Sequence, residues 1–525
     1  MSPKFRKAGY VLCISGILGC AHRTARTPEP TPPPAPAPAP SEAPVPPPVE
    51  TPPPKPERNP CFLGAEDPVR FERLRVVLVD AVEPAHVPAG VNDSEDLVFR
   101  QLYETLVQVD CEGRVRPGLA RSWGSRDLGR VWVFTLRDSA YFSDGTPVTP
   151  ANVRDAWQTA RAQPLVPGRP GPWSWIRSDD VRISGSRQIT VRLTSAPPNA
   201  VAFFSHPDLA VWKPTGDWAI GSGAYRVASG SVSWSFGLEP NPNHPFAGRG
   251  RSTIDVSVHN ASDPRDVLSK TDIMLLESKS ALSYAKELGE FQTYALAWSR
   301  TYVLVSPHYS GTRTQSPAWS ELRTELSEHI VDAEARPAAD LSGTNGKGCA
   351  LPRNIISDQS GSQGVVALDP DGGHQLAYPD GDSDAKKLAE RLVALASERS
   401  ENGNVLLGAL EPPSSGVNPV AVQLVPPAFA ASLQAGDRWS YLVSIQRTYT
   451  DPCLDAAAFA GSLRWLAARV NAARTRSGSA LVVAGIPLLT ARNHVALRRG
   501  VAGVAQDWDG TLRLAGAGHN GVEAP

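Results

Sequence analysis

The residues with the clearest chemistry are six cysteines, and the first two sit where an exported chain is processed. Lys4, Arg6 and Lys7 precede an apolar run from Ala8 to Leu18, which suits the core of a secretory signal and is too short to span a bilayer. The run ends Ile17-Leu18-Gly19-Cys20: an aliphatic residue three positions before a cysteine, a small one directly before it, and a thiol placed to receive diacylglycerol. Residues 1–20 are therefore expected to be a lipoprotein signal. The protein is then expected at a periplasmic or cell-surface face, lipid-anchored to the membrane through Cys20. Ordinary cleavage near Ala21, discarding Cys20, is the alternative. Cys13 leaves with the signal, so Cys61, Cys111, Cys349 and Cys453 remain; in an oxidising compartment they suggest two disulfides, in any of three pairings. No Cys/His spacing suggests a metal, and the ten histidines are scattered.

Other chemistry is hard to find. There is no GxSxG or HExxH motif, and no SxxK lysine in a catalytic context. Gly343-Thr344-Asn345-Gly346-Lys347-Gly348 superficially matches a phosphate-binding loop. It has Leu341 where the first glycine is required and Gly348 where Ser or Thr should bind magnesium, so a plain loop is the better reading. No catalytic residue and no cofactor is assigned. The 52 basic side chains nearly cancel 53 acidic ones, which leaves no long-range field to attract nucleic acid.

A chain of 525 residues is too long for one simple core. Thr27 to Pro60 is almost wholly Pro, Ala, Thr and Glu, so residues 21–60 are expected to be a solvated tether. Its 34 proline-rich residues would reach up to roughly 100 Å at about 3.1 Å each. Beyond it, strands are expected at Leu74–Val79, Leu106–Val109, Arg114–Arg116, Val131–Leu136, Val181–Ile183, Gln188–Leu193, Thr253–His259 and Lys270–Leu276. Helices are expected at Asp93–Leu106, Pro150–Ala160, Ala318–Ile330, Asp384–Ser397 and Asp455–Ala473. Strands and helices alternate throughout, so the class is mixed α/β.

Between Val98 and Trp157 the chain carries, in order, Tyr103-Glu104-Thr105-Leu106, Asp110 to Gly113, Pro117-Gly118-Leu119-Ala120, Ser122-Trp123, Phe134-Thr135-Leu136-Arg137, Phe142 to Thr149 and Asn152-Val153. Gly221-Ser222-Gly223-Ala224-Tyr225, Ile486-Pro487-Leu488 and Gly500 to Val504 follow. Together these resemble the family 5 extracellular solute-binding proteins, the peptide, dipeptide and nickel receptors of ABC importers. The span from Pro307 to Gln446 matches poorly, apart from Asp384 to Leu388. The matched residues are read as turns and core rather than as a binding site, Trp123 and Trp157 included.

The resemblance implies a two-lobed type II periplasmic-binding-protein fold with an extra subdomain in lobe I. Lobe I is expected at 61–269 with its subdomain at about 100–195, lobe II at 270–490, and a C-terminal return to lobe I at 491–525. It also implies a monomer that captures an oligopeptide-like or related small solute by lobe closure, without catalysis, and hands it to ABC permease subunits. An envelope sensor or interaction lipoprotein with the same fold and no transport is the alternative. A free hinge needs disulfides within lobes, hence Cys61 with Cys111 and Cys349 with Cys453. In peptide-binding members an aspartate in a segment resembling Ala-Asp-Tyr-x-x-Pro pairs with the peptide ammonium. Here the aligned segment is Arg447-Thr448-Tyr449-Thr450-Asp451-Pro452, with Thr448 at that position and Arg447 beside it. This predicts a ligand without a required free amine, stacked by Tyr449, Trp218 or Tyr225. A shifted alignment would instead let Asp451 pair with the amine.

Overall fold

The computed structural model describes residues 59–518, except 66, 164–171, 195–199, 216, 231–233, 246–250, 260–262, 307–316, 339–374, 380–381, 383, 393–419, 425–438 and 448–483. Cys20, Cys349, Thr448, Tyr449, Asp451, Cys453, residues 21–58 of the tether and the expected helix at 455–473 lie outside the described residues.

Two sheets organise the chain. The first has seven strands in the order Tyr225–Val227, Ser235–Pro240, Thr253–Val258, Arg73–Leu78, Ile273–Leu276, His494–Arg498 and Phe291–Ala295. Its centre is Arg73–Leu78, which runs parallel to both neighbours. Such a strand is covered on both faces, which explains the unbroken buried run Val76, Val77 and Leu78. On the far edge Phe291–Ala295 pairs antiparallel with His494–Arg498, ending on Ala295 opposite His494.

A four-stranded antiparallel sheet packs on the same core, in the order Ala120–Arg126, Val131–Leu136, Gln188–Leu193 and Ile176–Ile183. The helix Pro150–Ala162 lies with it. Thr149 and Asn152 form a reciprocal capping box at its start, and Pro150 takes the first turn, where its missing N–H costs nothing. Phe134, Trp157, Phe203 and Phe204 are almost fully buried and meet edge-on or stacked.

Several residues of the sequence signature have structural duties. Glu104 is buried 2.7 Å from Arg137, whose guanidinium also donates to the Gly118 carbonyl. Burial pushes the Glu104 carboxyl upward, but Arg137 and His244 outweigh it and hold it down at about 2. At Gly221 and Gly223 an added Cβ would fall 1.9 Å from the Leu102 carbonyl oxygen and 2.3 Å from that of Gln101. Only glycine lets this turn pass the end of the helix Asp93–Leu102.

The second sheet has six strands in the order Glu334–Pro337, Ala484–Arg492, Arg300–Ser306, Trp439–Gln446, Gln375–Pro379 and Val420–Leu424. It has its own core of Tyr302, Leu304, Leu322, Leu326, Leu388, Leu442 and Leu488. A helix Pro317–Glu325 running into a π-turn, Leu326–Ile330, and a helix over 384–392 pack there.

Two expectations are corrected. The helix expected to reach Leu106 stops at Leu102, because Tyr103 is already extended and Glu104 bridges to Val211. The first sheet also does not end at 269: Ile273–Leu276 and Phe291–Ala295 belong to it. Ile273–Leu276 is buried at every position, so its sequence has no alternation to indicate which sheet it joins. Near the ends of this body Phe62–Gly64, Ala502–Gln506 and Leu512–Arg513 form a small sheet, beside which Cys61 and Cys111 are disulfide-bonded.

Candidate ligand site between the lobes

Among the described residues the chain passes between the two large sheets at two places: 296–299, and Asn493. The crossings run side by side, with the Leu296 N–H donating to the Asn493 carbonyl at 3.0 Å and the Ser299 N–H to that of Ala491 at 3.3 Å. The guanidinium groups of Arg336 and Arg492 each stand 4.3 Å from the centroid of the Trp298 ring. Such contacts hold an aromatic ring through its quadrupole without using up the charge of the cation. Arg492 retains Glu334 at 2.6 Å.

The carboxyl ends of the parallel strands Arg73–Leu78 and Ile273–Leu276 lead directly into acidic residues, Asp80 and Glu277. That end of a parallel sheet is where open α/β folds place ligands. Asp93 joins them from the first position of its helix. Asn92 caps that helix by accepting the Glu95 N–H at 2.8 Å, and a carboxylate at Asp93 is favoured by the helix dipole. Asp93 Oδ2 accepts from Arg300 at 2.8 Å and from Asn493 Nδ2 at 2.6 Å. From the second sheet the Tyr302 hydroxyl donates to Asp382 at 3.1 Å, and Asp384 accepts the Asp332 N–H at 2.9 Å.

Asp80, Asp93, Glu277 and Asp382 thus interact with the Arg300 guanidinium or with one another, and the ionisation of Asp80 and Glu277 is perturbed. Burial, helped by Asp93 and Asp80, pushes Glu277 up to about 8, so it is largely protonated at neutral pH and can donate a hydrogen bond. Burial and the Asp93 charge also raise Asp80, while burial alone is the largest influence raising Asp384. Asp93 chiefly, with Tyr302, Asp382 and Glu277, stabilises the charged form of Arg300. The group is reachable from solvent, with the side chains of Asp93 and Arg300 21% and 24% exposed. Chemically the arrangement can hold a cation or a dense set of hydrogen-bond donors.

The residues expected from sequence are distributed differently. Arg447 does lie at the lobe junction: its N–H donates to the Ser299 carbonyl at 2.6 Å, and its guanidinium stands 5.5 Å from the centroid of the Trp508 ring. Trp218 is half-buried, with its ring tilted against Phe236 at 5.2 Å. Tyr225 is corrected to a core residue. Its ring is 1% exposed and offers no face to a solute, and its hydroxyl donates to the Leu514 carbonyl at 3.3 Å. Asp80, Asp93, Glu277, Arg300 and Asn493 were missed. The pattern Asn92-Asp93-Ser94-Glu95 signals a helix start, but nothing local signals partners 207 and 400 residues away.

Two lobes, each built on its own sheet and joined by adjacent crossings, give this chain the fold of the two-lobed type II periplasmic binding proteins. Residues 114–273 are similar to the family described as "Bacterial extracellular solute-binding proteins, family 5 Middle". It is 28% identical over 205 residues to the periplasmic oligopeptide-binding protein OppA of Haemophilus influenzae, a stretch covering 33% of this chain and 37% of that one. The sequence match therefore spans little more than a third of that relative's length. The fold match is broader. The structure of the Escherichia coli murein tripeptide binding protein MppA aligns over 82% of this chain and 95% of its own, with a TM-score of 0.54 at 18% identity. Haemophilus influenzae OppA in complex with the peptide RPPGFSPFR aligns over 85% and 98%, with a TM-score of 0.56 at 16% identity.

Proposed function

We propose that this protein is the extracytoplasmic solute-binding component of an ABC importer, capturing an oligopeptide-like or related small solute between its lobes and passing it to membrane permease subunits. The observation that carries this reading is the solvent-reachable acidic group at the junction of two lobes joined by paired crossings. A solute touching both lobes only in the closed form shifts the hinge equilibrium by its differential affinity, and no covalent step is needed. The relatives named for oligopeptide and murein peptide binding support a peptide-like ligand.

The acidic lining also revises the ligand expected from Arg447 and Thr448. Asp80, Asp93 and Asp382 outnumber Arg300, which favours a solute bearing an ammonium or guanidinium group over one that lacks it. Mass spectrometry of solute released on denaturation, followed by titration of matched free and N-acetylated peptides, tests this. Tighter binding of the free amine, with compaction in X-ray scattering, is expected. Equal or weaker binding of the free amine would reverse the ligand assignment, and no compaction with any peptide would count against the capture reading. Anchoring at Cys20 belongs to the same proposal: a fatty-acid analogue should label the protein, and Cys20→Ala should release it from membranes.

A further inference from the structure

Asp93 occupies an unusual mechanical position. Its helix belongs to the first lobe, yet both hydrogen bonds recorded for its side chain go to the two crossings: Asn493 is one crossing and Arg300 is the first strand residue after the other. Both donors converge on Oδ2. Among the described residues Oδ1 accepts no hydrogen bond, and the side chain remains 21% exposed. One carboxylate therefore ties both connecting segments to the first lobe through one of its two oxygens, on a side chain that is 21% exposed. The crossings are packed by Leu296 in the core of the first lobe and by Trp298 beside its two arginines, and a clasp shared by both has leverage on the angle between the lobes.

We propose that Asp93 is the positioning residue that couples solute capture to lobe closure, holding both crossings through Oδ2 and receiving a hydrogen-bond donor of the solute on Oδ1. This rests on the solute-binding reading. A donor arriving at Oδ1 draws charge density from Oδ2 and loosens its hold on Arg300 and Asn493. The hinge then feels occupancy directly, without a relay through either core. Asp80 lies close enough to Asp93 to interact with its charge, so the incoming donor meets more than one carboxyl group.

Spin labels at the exposed positions Leu128 and Glu390, one on each lobe, report the interlobe distance in the full chain. Without solute, Asp93→Asn is expected to shift the distance distribution to longer values and broaden it. Asn493→Ala, which removes one of the two bonds and leaves the charge, should produce a smaller shift, and it carries the test if Asp93→Asn fails to fold by near-ultraviolet dichroism. Propylammonium chloride, compared with equal sodium chloride, should move the wild-type distribution and leave Asp93→Asn unmoved. An unchanged distribution in both folded variants, or an equal propylammonium response in wild type and Asp93→Asn, would overturn the proposal. Absence of any released solute in mass spectrometry tests capture separately and leaves the solute-free distance measurement standing on its own.

Discussion

A carboxyl that keeps its proton up to about pH 8 makes the lobe junction a source of pH-dependent stability. The ordinary value for Glu277 is 4.5, and folding raises it, so the folded chain binds the proton more tightly than the unfolded chain does. Below both values the group is neutral in each state and has no effect. As pH rises from 4.5 toward about 8, the unfolded chain ionises first and stability falls; above that window the loss is complete and constant. Glu277→Gln should therefore melt with the wild type at pH 4 and above it at pH 8.5. Coincident melting curves at both pH values would show that the folded state does not raise this group. Little of this was legible in the sequence. Glu277 follows a readable apolar run, but its ionisation depends on Asp80 and Asp93, placed beside it by strands and a helix nearly two hundred residues earlier. Tyr225 is a stacking candidate from sequence, whereas Gly221 and Gly223 serve close packing against a helix end and Tyr225 fills the core.

At the level of elements the sequence was more informative. The strands Val131–Leu136 and Gln188–Leu193 fall at their expected limits because alternation and β-branched side chains specify a half-buried strand locally. Sheet membership is not local, which is why Ile273–Leu276 was readable as a strand and not as a member of the first sheet. The Cys61–Cys111 disulfide pins the first strand of the body to the hairpin of Val107–Val109 and Val115–Pro117 across a separation of 50 residues. Closing a loop of that length restricts the unfolded chain by up to about 4 kcal/mol, and native bonds of this kind typically contribute about 2–5. The double variant Cys61→Ser/Cys111→Ser should lose stability in that range by urea unfolding. Closure of the lobes should be unaffected, since both cysteines lie in one lobe. A loss below about 0.5 kcal/mol would mean that the unfolded chain is already restricted there.

For the whole molecule, the pairing of Ala295 with His494 at the edge of the first sheet has a consequence for how the gene could be cut. The chain leaves the first lobe and re-enters it on adjacent antiparallel strands, so the second lobe is topologically an insertion into a hairpin. Two antiparallel strands ending opposite one another can be closed by a two-residue Asn-Gly turn, whose backbone matches the strand twist. Replacing residues 296–493 by Asn-Gly should give a shortened chain that retains the seven-stranded sheet, the buried Glu104–Arg137 pair and the Cys61–Cys111 bond. Asp93 would lose both hydrogen-bond partners but keep its favourable place at a helix start. A cooperative thermal transition with dispersed amide resonances is expected, and a molten product without them would mean that the first lobe needs the second to fold. If it holds, one lobe is an autonomous scaffold, and the other is a cassette that can be exchanged at two neighbouring peptide bonds without redrawing a single strand of its host.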